Sequence, residues 1–136
     1  MSDESIEKEI IYKGLTAPRV TPSKIEAIID GEYYFTASSA MENNPSIPGF
    51  HKELDLLTFC VLVLENGFTV TGESACASAE NFDSELGRKI ARENAIQKIW
   101  PLEGYLLKSK LADKKYPVQP PQDNAHVGDG CEKFIE

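Results

Sequence analysis

Apolar residues run almost unbroken from Leu54 to Leu64, stop at Asn66-Gly67 and resume from Phe68 to Gly72. The first run predicts a central strand covered on both faces. Asn66 and Gly67 can supply the two positive-φ positions of a tight hairpin turn, so the second run returns antiparallel. Downstream the apolar spacing lengthens. Phe82, Leu86 and Ile90 recur at i+4, and Ala91, Ala95 and Ile99 form an adjoining row. Together they predict a helix over 82–99 with one apolar face against the hairpin sheet. Asn81 or Asp83 can cap it, and it is expected to stop before Pro101.

The flanks read less strongly. Ile6, Ile10 and Ile11 suggest a short helix or frayed arm up to Tyr12. Thr21-Pro22-Ser23 opens a second helix, expected from Ser23 to Asp30 and ended by Gly31. The aromatic EYYFTA that follows is a strand, and the polar, turn-rich stretch 38–52 is a loop. After Pro101, Leu102, Tyr105, Leu106 and Leu111 predict a second, shorter helix. The fold class is therefore α+β: a small antiparallel sheet with its central hairpin at 54–72, packed on a long amphipathic helix, with short flanking helices. Residues 1–115 form one globular domain. The Pro- and Gly-rich tail, 116–136, is expected to be extended or poorly ordered unless a partner subunit holds it.

Composition narrows the function. At 136 residues, 41% hydrophobic and 26% charged, the chain can build one core. No apolar run approaches the roughly 20 residues that span a bilayer, so no membrane partner is expected. The acidic N-terminus predicts no signal peptide and a protein that stays in the cytoplasm where it is made. A net charge of −8 argues against long nucleic acids as partners. The charge is uneven: 85–115 holds eight Lys or Arg against four Asp or Glu, leaving +4 there and −12 elsewhere. Such a region suits a small anion, or is a solvated helix face with pairs such as Glu85–Lys89.

Catalytic and metal chemistry find little support. Three widely spaced cysteines and two histidines form neither a disulfide framework nor a zinc site. Gly72-Glu73-Ser74-Ala75-Cys76 resembles a nucleophile elbow, but Cys76 stands where the closing glycine belongs. Glu73 with Glu80 or Asp83 is indistinguishable from surface acids, and no phosphate-binding glycine loop is present. No enzyme activity, metal or cofactor is expected. A binding constellation remains: Phe82 for stacking, Arg88 and Arg92 as forked phosphate donors, and Asn94 for a donor–acceptor edge. At 100° per residue they do not share one face, so a pocket using all four needs a second wall, naturally from a second copy.

The runs GLTAPRVTPSKIEAIIDGEYYFTA and LLTFCVLVLENGFTVTGESACASAENFDSELGRKIARENAIQKIWPLEGYLL resemble a family of small phage accessory proteins. That family is taken to include the anti-defence proteins that defeat Thoeris immunity. The resemblance implies a non-catalytic sponge that binds a cyclic nucleotide signal of the glyco-cyclic ADP-ribose class without degrading it. It also implies a homo-oligomer, either a dimer or a hexamer of dimers. Phe82 in NFD and Asn94 in REN carry over first, with Arg88 and Arg92 added on chemical grounds. The alternative is a phage accessory protein that binds and redirects a host protein.

Overall fold

The computed structural model describes residues 3–15, 17–42, 44, 46 and 49–115. The tail, 116–136, lies outside the described residues. Four helices and three strands follow in the order α1 (Asp3–Tyr12), α2 (Pro22–Ala27), β1 (Ile29–Thr36), α3 (Ala37–Glu42), β2 (Leu57–Leu64), β3 (Thr69–Ala75) and α4 (Ser84–Lys115). Single 3-10 turns at Lys52–Leu56 and Ala79–Asn81 precede β2 and α4. The sheet is antiparallel in the order β1-β2-β3, and α4 lies across β2 and β3. The α+β class and the central hairpin are as the sequence predicts.

Thr21 caps α2, its hydroxyl accepting from Lys24 N at 3.1 Å, with Pro22 in the first turn. The helix ends earlier than expected, because Gly31 is not its stop. Ile29 already pairs with Leu64, and the register shifts between Ile29 and Gly31, so Gly31 belongs to the strand. The stretch 38–52 is not simply a loop. Thr36 and Ser39 cap each other's backbone: Thr36 N donates to Ser39 Oγ at 3.1 Å, and Ser39 N donates to Thr36 Oγ1 at 3.2 Å. This reciprocal pair starts α3 in the manner of a capping box, with serine in the place of glutamate.

The hairpin turn also differs in detail. Gly67 has φ 87°, while no described non-glycine residue has positive φ. Gly67 N donates to Leu64 O, and Leu64 N to Phe68 O, both at 2.8 Å. That pattern is a type I turn closed by a glycine bulge. Asn66 contributes through its side chain, Oδ1 accepting from Phe68 N at 2.9 Å.

The core contains Ile25, Ile28, Cys60, Leu62, Leu64, Val70, Ala91, Ala95 and Ile99. Only one face of β2 is fully covered. Thr58, Cys60, Leu62 and Leu64 are buried under α4, whereas Leu57, Phe59, Val61 and Val63 are half-buried. On that second face Phe35 stacks on Phe59 with ring centroids 5.3 Å apart, and Tyr33 is 61% exposed. The expected two-sided cover is therefore not seen among the described residues, which supply a helical layer to one side of the sheet.

Helix α4 departs most from expectation. It does not stop before Pro101 but runs through it, as one helix of 32 residues rather than two. Proline removes one hydrogen-bond donor yet holds a helical φ, and the following LEGYLLKSKL is rich in good helix formers. Its packed row is also narrower. Ala91, Ala95 and Ile99 are fully buried, while Leu86 and Ile90 are 52% and 41% exposed. Small residues set that choice. A Cβ at Gly72 would lie 2.0 Å from Ala91 O and 2.3 Å from Ala95 N, so the helix backbone rests directly on β3. At that distance only one narrow row can face the sheet.

Candidate functional site

Asp83 begins α4, its Oδ1 accepting from Glu85 N at 3.0 Å and Leu86 N at 3.2 Å. One turn later Gly87 lets the helix approach β2: a Cβ there would stand 3.2 Å from Thr58 Oγ1 and 4.0 Å from the Phe82 ring. Phe82 is half-buried beside that contact. On the β1 side of it opens a pocket of about 350 Å³, lined by Tyr34, Phe35, Thr36, Ser39, Thr58, Ser84 and Arg88. Arg88 is exposed and forms no ion pair or hydrogen bond among the described residues. A guanidinium with no partner among the described residues, the Tyr34 ring on the helix-covered side of the sheet and a set of hydroxyls suit an anionic, ring-bearing ligand.

The other candidates sit elsewhere. Arg92 points to α2 and β1. Its Nη1 and Nη2 donate to the two carboxylate oxygens of Glu26 at 2.9 and 2.7 Å, and its Nε donates to Glu32 Oε1 at 2.8 Å. Those contacts occupy the fork that a phosphate would need. Asn94 points to the opposite edge of the sheet, Nδ2 donating to the Glu73 carbonyl of β3 at 2.8 Å. Phe82 and Arg88 thus flank the same Thr58, while Arg92 and Asn94 reach towards β1 and β3, on either side of β2. Tyr34, Phe35, Thr36, Ser39, Thr58 and Ser84 were not singled out from the sequence. The aromatic and hydroxyl run YYFTASS was the available signal, but its strand and turn readings account for it equally well.

The Glu26–Arg92–Glu32 clasp has electrostatic consequences. Hydrogen bonding to Arg92 holds the Glu26 carboxyl below its ordinary value of 4.5, and the same bond raises Arg92, which stays charged. A lowered carboxylate stabilises the fold fully above its unfolded value. That contribution disappears as pH falls below about 4.5 through the lower folded value. Because the Glu26 side chain is 54% exposed, the pair is worth about 1 kcal/mol or less at neutral pH. Glu26→Gln is therefore expected to flatten part of the loss of stability below pH 4.5. Urea titrations at several pH values measure this, and an unchanged acid slope would contradict it.

Cysteine chemistry is not apparent. Cys60 is fully buried, and burial raises its thiol. The Tyr34 hydroxyl is pushed up to about 12, chiefly by burial, and donates to Glu32 Oε2 at 3.2 Å. The half-buried Cys76 thiol donates to Ser78 O at 3.1 Å. Ser74 lies within β3 rather than on a strand-to-helix turn. Among the described residues no group of three His, Cys, Asp or Glu side chains could hold a metal ion, and no helix is long and apolar enough to cross a membrane.

The model of the Phage protein (N4 Gp49/phage Sf6 gene 66) family matches residues 20–111. The chain belongs to that family. The matched segment runs from just before α2 to near the end of α4, so the family's shared unit contains the whole sheet and the Arg88 pocket. No curated protein and no solved structure matches the chain. A phage protein of the Gp49/gene 66 family thus presents, near the start of its long helix, an arginine without a partner among the described residues, beside Tyr34 and several hydroxyl groups.

Proposed function

We propose that this phage protein is an anti-defence sponge, which binds and sequesters a cyclic nucleotide immune signal of the glyco-cyclic ADP-ribose class without degrading it. The supporting observation is Arg88, which has no intramolecular partner among the described residues and lines a pocket with Tyr34 and several hydroxyl groups. A cyclic ADP-ribose-type signal is a compact dianion bearing an adenine, and a guanidinium beside an aromatic ring matches both features. The pocket is open to one side, so a second copy of the chain completing its wall fits the same reading. The chain's family, taken to include the Thoeris inhibitors, supports the same reading.

Filtration of the protein incubated with the signal tests the proposal. Signal should be retained with the protein and recovered chemically intact after heat denaturation. Free signal in the filtrate, or an altered product, overturns it. The second reading, binding of a host protein, has one observation in its favour: the open sheet face with Tyr33 and Phe35 exposed. A stoichiometric host protein on the immobilised chain, with no signal retained, would select that reading instead.

A further inference from the structure

Along α4, Ser84, Arg88 and Arg92 recur at i+4, so they share one face and rise about 6 Å per step. Along β1, Thr36, Tyr34 and Glu32 alternate with Phe35 and Tyr33. They therefore share the face that Tyr34 packs against the core, and advance about 7 Å per step. The two rows meet level by level. Ser84 and Arg88 line one pocket with Thr36 and Tyr34, and the next level pairs Arg92 with Glu32 at 2.6 Å. The helix backbone rests on β3 at Gly72, and long side chains span the gap over β1. Arg92 thus meets an acid, whereas Arg88 meets an aromatic ring.

Arg92 holds more than Glu32. Its Nη1 and Nη2 also donate to Glu26, so two carboxylates share one guanidinium. Glu32 in turn accepts from the Tyr34 hydroxyl at 3.2 Å, which fixes the ring beside Arg88. Removing Arg92 would leave Glu26 and Glu32 as two uncompensated charges. For Glu32 the next cation on that face of α4 is Arg88, about 6 Å further along the helix. The long, flexible stem of an arginine covers that distance. Glu32 would then occupy the donors that an anionic ligand requires.

We propose that Arg92 is a positioning residue of the Arg88 pocket: it holds Glu32 in place, and so keeps the Arg88 guanidinium open to the anionic part of a ligand. The inference gives a role to the arginine whose own fork is occupied, and it rests on the reading of Arg88 as the ligand's anion contact. Arg92 acts through Glu32 and touches no ligand. Its loss is therefore repaired by removing the competing carboxylate, without restoring a cation at position 92. A purely structural role for Arg92 predicts the opposite, since a second substitution in the same clasp would add to the damage.

Two measurements on the full chain test this. The first needs no ligand. Phenylglyoxal modifies guanidinium groups that are not engaged, and mass spectrometry of peptides follows Arg88 apart from Arg19 and Arg92, the other two arginines of the chain. Arg92→Met should slow the modification of Arg88 severalfold, and Arg92→Met with Glu32→Gln should return it to the wild-type rate. The second is titration of a glyco-cyclic ADP-ribose in the filtration experiment. Affinity should fall about fivefold in Arg92→Met, the weight of one exposed ion pair, and recover in the double variant. Circular dichroism should be unchanged throughout, because all three side chains of the clasp reach solvent. Unchanged Arg88 reactivity in Arg92→Met overturns the proposal, and so does a loss of affinity that Glu32→Gln does not repair. A wild type that retains no signal, with the expected pattern of Arg88 reactivity, overturns the ligand reading and leaves the role of Arg92 standing.

Discussion

Gly72→Ala is expected to leave the protein largely unfolded, costing about 3 kcal/mol or more. The added methyl would meet backbone rather than a movable side chain: Ala91 O at 2.0 Å, Ala95 N at 2.3 Å and Ala95 Cα at 3.0 Å. Relief requires lifting α4 off β3, which opens the contact of Ala91 and Ala95, both fully buried. Interiors are packed as densely as organic crystals, so such a shift is not absorbed locally. Thermal and urea unfolding of the variant measure the effect. A variant with near wild-type stability would show that the helix does not rest on β3 at this point.

Arg88→Gln is expected to do the reverse: keep the fold and lose the ligand. Arg88 has no intramolecular partner among the described residues, so its removal should change stability by no more than about 0.5 kcal/mol. A hydrogen bond to a charged group is worth about 1.5–3 kcal/mol, which corresponds to roughly 10- to 100-fold in affinity. Retention of the cyclic nucleotide signal in the filtration experiment should fall by that factor, with an unchanged melting temperature. Equal retention by the variant would remove Arg88 from the site.

The difference between Arg88 and Arg92 could not be read from the chain. Both are exposed-helix arginines in sequence, four residues apart. What separates them is that Glu26 and Glu32, some sixty residues upstream, reach Arg92 and not Arg88. Asn94 illustrates the same limit. Its amide needs a partner wherever it lies, and only the placement of α4 beside β3 made that partner the Glu73 carbonyl. The aromatic and hydroxyl groups of the pocket come from β1, the turn into α3, the start of β2 and the start of α4. Each is unremarkable in its own segment.

Local chemistry was legible where local forces decide. The hairpin at Asn66-Gly67, the cap at Thr21 and the helix after Asp83 follow from turn geometry, hydroxyl capping and apolar spacing within a few residues. The sequence by itself determined the α+β class, the antiparallel hairpin and an uneven charge that gathers cations on the long helix. Tertiary structure decided which row of that helix is buried, because Gly72 admits backbone contact only along Ala91, Ala95 and Ile99. It also decided that the helix outruns its sheet through Pro101, and which of two similar arginines is left without a partner among the described residues. Those outcomes depend on pairings between residues far apart in the chain, where no periodicity reaches.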